Sequence, residues 1–172
     1  MIVLVARHGE TPWNVAGVIQ GKTDIPMNER GKEQIRSLGR NIERISVIIC
    51  SDLVRSVEAA QLVAETHPVP IRLDSRLREC DYGKLEGMTR AGASATFGID
   101  MSDDEHVHDF RPYGGELIAD VVARQIAMLT ELRGEAHAYP SLLIGHGGAL
   151  TALLRKFYLK LPRQGEYVSL AF

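Results

Sequence analysis

The amino-acid sequence predicts an α/β protein built on a largely parallel sheet, and three observations point to that fold class. Short runs of apolar, often β-branched residues recur along the chain, and they have the length of buried strands. Segments with apolar residues at helical spacing lie between these runs. Glycine, proline and small polar residues mark the boundaries. Strands that alternate with helices in this way are typical of parallel α/β sheets.

The first half of the chain contains three predicted strands and two predicted helices. Residues 12–27 show no apolar period and contain two prolines and two glycines, which predicts a long loop. Asn28 is a suitable N-cap for the helix that follows the loop. Ser51 or Asp52 is the expected cap of the next helix, which should end near 67–68. The three predicted strands are 2–6, 47–50 and 70–73.

The second half is less regular until its last third. Residues 88–115 are the least periodic part of the chain, with a weak helix expected over 89–97 and an acidic turn at 103–105. No repeat or linker divides the sequence, so we expect one domain over 1–172 with a short lid-like insertion at about 88–115. The remaining predicted elements are a helix from 116 to about 132, a strand at 141–144, a helix through 150–157 and an edge strand at 167–172.

Composition argues against several functional classes. The chain has 172 residues, with 20 Lys and Arg against 22 Asp and Glu, so its net charge of −2 argues against a dedicated nucleic-acid binder. Its longest apolar run, residues 1–6, is too short to cross a bilayer and lacks the features of a signal peptide. Cys50 and Cys80 form no CxxC pair. We therefore expect a cytoplasmic protein with neither a membrane nor a nucleic-acid partner.

Polar residues that suit a phosphate follow three of the predicted strands. Arg7-His8-Gly9 comes after the first strand, Ser51-Asp52 with Arg55 after the second, and Gly145-His146-Gly147-Gly148 after the strand at 141–144. Ligands of open α/β sheets bind at the carboxyl ends of the strands, so these segments should meet. Arginine offers paired donors to an oxyanion, a neutral imidazole can act as a nucleophile, and glycine lets the backbone approach closely.

The segment Arg7-His8-Gly9-Glu10-Thr11 resembles the signature of the histidine phosphatase superfamily, which also contains the cofactor-dependent phosphoglycerate mutases. Further matches to the family follow in its order and extend over nearly the whole chain, which makes the resemblance specific. They are Asn14, Gln20-Gly21, residues 24–26, 28–31, 51–55, 77–79, 82–87, 114–116 and 145–148. The resemblance implies a three-layer sandwich, with a mostly parallel central sheet flanked by helices.

The same resemblance implies a role for each matching residue. His8 would be the nucleophile that becomes a phosphohistidine, and Glu79 would protonate the leaving oxygen. The residues implied to hold the phosphoryl group or the substrate are Arg7, Arg55, His146, Asn14, Gln20, Gly21 and Gly147. Because phosphoryl transfer depends mainly on positioning and electrostatics, this cationic set needs neither a metal nor an organic cofactor. The pair His106 and His108 is accordingly interpreted as part of a solvated loop.

Two features favour the phosphatases over the mutases. Asp81 stands where the mutases usually carry a basic residue or a histidine. Only 26 residues separate Gly87 from Gly114, and they contain five acidic residues against two arginines, Arg90 and Arg111. Such a short and acidic lid suits neither a second phosphate nor the exclusion of water. We therefore expect water to hydrolyse the phosphohistidine.

Three functions are open on this basis. We favour a phosphomonoesterase that acts on a small-molecule phosphomonoester, with a phosphoprotein as another substrate class. The first alternative is a phosphoglycerate-mutase-type phosphotransferase, and the second is a non-catalytic module that binds phosphorylated ligands. The sequence leaves open the substrate, a dimeric state, and whether Trp13 and residues 88–115 contact the substrate.

Overall fold

The structure, a computed structural model, describes residues 1–100 and 109–172. The acidic turn predicted at 103–105 and the pair His106 and His108 lie outside the described residues. The strands are β1 (Ile2–Arg7), β2 (Val47–Cys50), β3 (Ile71–Leu73), β4 (Ser141–Gly145) and β5 (Tyr167–Ala171). The helices are α1 (Pro12–Val15), α2 (Glu29–Asn41), α3 (Val54–Ala64), α4 (Arg90–Phe97), α5 (Ile118–Arg133) and α6 (Gly147–Arg155).

The five strands form a single mostly parallel sheet, as predicted, in the order β3-β2-β4-β1-β5. Only β5 runs antiparallel, where it pairs with β1 at the sheet edge. The central strands β2 and β4 are buried along their whole length, which is why Val47–Cys50 and residues 142–144 are continuous apolar runs without alternation.

Helices cover both faces of the sheet, and this confirms the three-layer arrangement. Successive strand side chains point to opposite faces. On one face Ala6 and Ile48 pack with α2 and α3, and on the other Val5 and Ile49 pack with α5 and α6. The helix residues in these two cores are Ile35 and Leu38 of α2, Ala59 and Val63 of α3, Leu129 and Leu132 of α5, and Leu150 and Leu153 of α6.

The register of the strands aligns their carboxyl ends. Arg7 pairs with Gly145 across β1 and β4, and Cys50 pairs with Ile144 across β2 and β4. The residues that follow these strands therefore emerge side by side at one edge of the sheet. The N–H of His8 continues the ladder by donating to the Gly145 carbonyl at 3.1 Å.

The predicted loop at 12–27 contains the short helix α1, which sequence periodicity did not reveal. Thr11 is its N-cap and forms a capping box with Asn14, and Pro12 occupies the first turn. These local hydrogen bonds and the fixed φ of proline favour a helix that is too short to show an apolar period.

Helix α3 begins later than predicted and has a different cap. Its N-cap position is Leu53, which makes no side-chain hydrogen bond, and it ends at Ala64. The distant Asp24 accepts the Val54 N–H at 2.7 Å instead. Ser51 and Asp52, the predicted caps, bind other partners, namely His146 and Arg78. Among the described residues, no helix is long and apolar enough to cross a membrane.

Candidate active site

His8 follows β1 and is almost completely buried. Its Nδ1 lies 2.7 Å from the Gly9 carbonyl oxygen, which can only accept, so we assign the ring proton to Nδ1. Burial lowers the pKa of His8 well below its usual value, and the charges of Arg7 and Arg55 lower it further. His8 is therefore neutral at neutral pH, with a lone pair on Nε2, as a nucleophilic imidazole requires.

His146 follows β4, and its ring centroid lies 5.1 Å from that of His8. Its Nδ1 accepts a hydrogen bond from Arg55 Nε at 3.2 Å, and its Nε2 lies 2.6 Å from Ser51 Oγ. Because a guanidinium only donates, Nδ1 carries the lone pair and Nε2–H donates to the serine. Burial, followed by the charge of Arg55, lowers the pKa of His146. Both ring nitrogens are thus already hydrogen-bonded.

Arg55 lies at the first turn of α3 and is 1% exposed. Its Nη2 donates to the Gly21 carbonyl at 2.8 Å, and its Nη1 donates to the Thr23 carbonyl at 3.1 Å. Together with the bond to His146, three of its five N–H groups are bound to the protein, which fixes the orientation of the guanidinium. Gly21, predicted to contact the substrate, contributes a carbonyl to Arg55.

Glu79 accepts three backbone N–H groups and is 5% exposed. Its Oε1 accepts from Cys80 at 2.9 Å and from Ala149 at 2.7 Å, and its Oε2 accepts from Gly148 at 2.9 Å. Helix α6 has no side-chain cap of its own, because its N-cap residue His146 makes no such bond. The carboxylate thus supplies the cap from a distant segment and lies at the positive end of the helix dipole.

Arg124 of α5 holds the backbone that carries Glu79. Its Nη1 donates to the carbonyls of Arg76 at 2.6 Å and Arg78 at 2.8 Å, and its Nη2 donates to the Glu79 carbonyl at 3.1 Å. Sequence reasoning missed this residue. A single arginine on an amphipathic helix gives no signal that it bonds to a loop 45 residues away.

A cleft of about 510 Å³ opens next to these residues. Five of the predicted site residues line it, namely Arg7, Asn14, Gln20, Glu79 and Gly147. The other four, His8, Arg55, His146 and Gly21, are buried and contribute no lining. The Arg7 guanidinium packs on Gly147, where an added Cβ would lie 3.1 Å from Arg7 Cζ. A larger residue at 147 would therefore press on the arginine that faces the cleft.

Gln20 and Asn14 differ in what they offer to a ligand. Gln20 Oε1 accepts from Thr11 Oγ1 at 2.8 Å, while its buried Nε2 has no hydrogen-bond partner within the described part of the chain. Since buried donors are normally paired, this amide suits an oxygen of a bound molecule. Asn14 Oδ1 accepts from the Thr11 N–H and from Gln164, so it serves as a cap of α1.

The rest of the lining comes from segments that the sequence analysis left without a role. Gly148, Thr151, Ala152 and Arg155 line the cleft from one face of α6, and their spacing is the signal that could have found them. Arg90 and Phe110 of the segment 88–115 also contribute, whereas Trp13 does not. The cleft is thus lined by the arginines Arg7, Arg90 and Arg155 against the acids Glu10 and Glu79.

Neither cysteine is activated as a nucleophile. Both Cys50 and Cys80 are buried free thiols. Burial raises the pKa of Cys50 to about 12 and raises that of Cys80 further. Within residues 1–100 and 109–172, no group of three or more His, Cys, Asp or Glu side chains is arranged to hold a metal ion.

Curated proteins with similar sequences include enzymes named as mutases. A 2,3-bisphosphoglycerate-dependent phosphoglycerate mutase 2 of Gloeobacter violaceus is 29% identical, over 99% of this chain and 82% of its own. A probable phosphoglycerate mutase GpmB of Proteus mirabilis is 34% identical, over 95% of this chain and 77% of its own.

Solved structures show the same likeness in three dimensions. A mycobacterial glucosyl-3-phosphoglycerate phosphatase, in complex with VO3, is 29% identical and superimposes with a TM-score of 0.86, over 99% of this chain and 90% of its own. YhfR of Bacillus stearothermophilus is 25% identical with a TM-score of 0.87, over the same shares. The sequence pattern of the histidine phosphatase superfamily (branch 1) matches residues 3–168. The chain therefore belongs to the histidine phosphatase superfamily, as its motifs predicted.

Proposed function

We propose that this protein is a phosphomonoester hydrolase that works through a phosphohistidine on His8. The observation that carries the proposal is the buried neutral His8, with a lone pair on Nε2, beside Arg7 and Arg55 and close to a cleft that the Glu79 carboxyl also lines. This arrangement supplies a nucleophile, fixed positive charge and a proton-carrying group, which are the parts that phosphoryl transfer needs.

In the first step, His8 Nε2 forms a bond to phosphorus as the ester P–O bond breaks. The positive charge that develops on the imidazole is stabilised by the hydrogen bond from Nδ1 to the Gly9 carbonyl. Arg7, Arg55 and the N–H of Gly147, the amide at the start of α6 that Glu79 does not bind, stabilise the charge on the phosphoryl oxygens. Glu79 caps α6 as a carboxylate in the free protein, takes up the proton of a monoanionic ester as the ester binds, and gives that proton to the leaving oxygen.

In the second step, water attacks phosphorus and the bond to His8 Nε2 breaks. The Glu79 carboxylate accepts a proton from the attacking water, and this proton leaves with the inorganic phosphate, so Glu79 returns to the carboxylate that caps α6. His146 holds Arg55 in the free protein. Because its Nδ1 lone pair faces Arg55 and its Nε2–H is donated to Ser51, His146 acts on the phosphoryl group through the position of Arg55.

We propose that the segment 88–115 is a short lid-like insertion in one domain over 1–172. Its shortness and its excess of acidic residues support hydrolysis, because such a lid suits neither a second phosphate nor the exclusion of water. Asp81, which stands where mutases usually carry a basic residue, binds Lys22 and the Gly83 N–H. The likeness to a glucosyl-3-phosphoglycerate phosphatase supports the same outcome. The mutase names of the curated relatives favour a second candidate, a phosphotransferase that isomerises phosphoglycerate. We further propose that the protein acts in the cytoplasm without a metal.

The test is a panel of phosphomonoesters assayed for phosphate release in the presence of a chelator. The panel includes glucosyl-3-phosphoglycerate and 3-phosphoglycerate, because the relatives' names point to these esters. We expect release by the wild type, none by His8→Ala, and a labelled phosphoenzyme trapped by rapid quench in the wild type alone. Release that survives His8→Ala refutes the proposal. Isomerisation that depends on a bisphosphate primer identifies the mutase, and phosphate binding without turnover identifies a binding module.

A further inference from the structure

Glu86 binds four donors with its two carboxylate oxygens, although it lies outside the lining of the cleft. Its Oε1 accepts from the N–H of Lys22 at 2.9 Å and from the N–H of Tyr82 at 3.2 Å. Its Oε2 accepts from the N–H of Thr23 at 2.9 Å and from the Thr23 hydroxyl at 2.6 Å. Three of the four donors belong to the segment 22–23, so the carboxylate holds that segment at both of its residues.

Residues 21–23, here called the 21–23 loop, include this segment and carry the carbonyl groups that orient Arg55. Gly21 and Thr23 accept from its Nη2 and Nη1, and these two bonds leave Arg55 Nε directed at His146. The loop approaches Glu86 so closely that an added Cβ at Gly21 would lie 2.1 Å from Glu86 Oε1. Contacts therefore run from Glu86 through the loop to Arg55.

Only a carboxylate satisfies all four donors at once. An ionised carboxyl group has acceptor sites on both oxygens, whereas a glutamine presents an oxygen on one side and two N–H groups on the other. In a Glu86→Gln protein at least one backbone N–H would face another donor. The Lys22 N–H is exposed and those of Thr23 and Tyr82 are partly buried, so the loop would shift until the N–H that has lost its acceptor reaches water or another partner.

Charge acts in the same direction as geometry. No carboxylate in the described ranges forms an ion pair with Arg55, whose N–H groups meet carbonyls and an imidazole. Burial lowers the pKa of Arg55, and the negative charges of Glu79, Asp24 and Glu86 oppose that effect. Glu86 is thus one of three carboxylates whose charge favours the buried guanidinium.

We propose that Glu86 is a positioning residue, which holds the 21–23 loop so that Arg55 is set in advance for the phosphoryl group. The proposal rests on the phosphate-binding role given to Arg55 above. Glu86 does not touch the substrate, so its contribution should appear only through Arg55. Preorganisation of this kind lowers the cost of ordering the arginine when the anion binds.

The test is a double-mutant cycle in phosphate affinity, measured by titration calorimetry with inorganic phosphate well below the unfolding temperature. We expect Glu86→Gln to weaken binding about 10-fold. An Arg55→Lys protein lacks the guanidinium that donates to the Gly21 and Thr23 carbonyls. In that background we expect Glu86→Gln to change the phosphate affinity less than about 2-fold. Asp74→Asn is the matched control, because Asp74 also accepts a backbone N–H but contacts neither Arg55 nor the loop.

The cycle distinguishes positioning from a general effect on folding. Equal losses in both backgrounds, or an unchanged affinity in Glu86→Gln, overturn the proposal. If Glu86→Gln fails to fold, Thr23→Val decides, since it removes only the hydroxyl donor; we expect about 3-fold weaker binding that again disappears in the Arg55→Lys background. A wild type that binds phosphate but hydrolyses no ester refutes the proposed hydrolase alone, whereas a wild type that binds no phosphate overturns both.

Discussion

Replacement of Glu79 by glutamine tests two roles of this carboxyl group at once, the cap of α6 and the proton donor. The amide oxygen of the new side chain can still accept two of the three N–H groups, but its NH2 group would face the remaining one. An unsatisfied buried N–H costs about 1–3 kcal/mol. The lost charge at the helix N-terminus adds about 0.3–1 kcal/mol.

A neutral amide is less costly to bury than a carboxylate, which offsets part of this loss. We therefore expect the free energy of unfolding to fall by about 1–3 kcal/mol, and at about 2–4 °C per kcal/mol for a protein of this size the Tm falls by about 2–12 °C. Thermal denaturation followed by circular dichroism measures the shift. Asp74→Asn serves as a reference for the loss of a capping carboxylate outside the cleft, where Asp74 caps a single turn and pairs with Arg76.

The proposed proton-donor role of Glu79 is tested separately, by how the loss in kcat/KM depends on the leaving group of the ester. A proton donor contributes about 10²–10⁴-fold to a reaction with a poor leaving group. We expect Glu79→Gln to lose that factor in kcat/KM on an alkyl or sugar phosphate, but less than about 10-fold on p-nitrophenyl phosphate, whose leaving group needs little help. Equal losses on both esters would refute the role of Glu79 as proton donor. An unchanged Tm would refute its role as the cap.

Three further predictions concern residues around Glu79 and the two histidines. His8 and His146 have lowered pKa values in the folded protein, so below pH 6.5 the unfolded chain binds protons that the folded chain does not. We therefore expect the free energy of unfolding, measured in urea, to fall from pH 7.5 to pH 5.5 by at most about 1.4 kcal/mol per pH unit for each proton. Equal stability at the two pH values would contradict this. Ser51→Ala removes the acceptor of the His146 Nε2–H, and we expect about 1–3 kcal/mol lower stability in the same assay at pH 7.5. An added Cβ at Gly148 would lie 2.2 Å from Tyr82 Oη, so Gly148→Ala should displace that ring and lower kcat/KM; wild-type kinetics would show that the cleft can adapt.

The strands and their polar ends were predictable because the information is local. A strand buried on both faces is mostly apolar, and runs such as 47–50 and 142–144 show this without any partner. The convergence of Arg7-His8 and His146 follows from the same pattern, because parallel strands end at one edge of the sheet. The order of the strands in the sheet could not be predicted in this way, because β4 lies between β1 and β2 through pairings that no local pattern encodes.

Several functional contacts could not be predicted because both partners are ordinary when considered alone. Asp24 caps α3 across 30 residues, and Glu79 caps α6 across 69. Gly21 resembles a substrate contact in sequence, yet its carbonyl orients Arg55. The helix α1 was missed for the opposite reason, because a single capped turn is too short to produce a period.

The sequence by itself determined the α/β class, the strand positions and the family, because apolar runs and short motifs are properties of consecutive residues. Only the tertiary structure decided how the site is held. His8 is neutral because it is buried. Arg55 is oriented by the 21–23 loop, which is hydrogen-bonded to Glu86, and Glu79 accepts hydrogen bonds from the amides of α6. Burial and hydrogen bonds between distant segments exist only after the chain has folded, so no pattern along the sequence contains them.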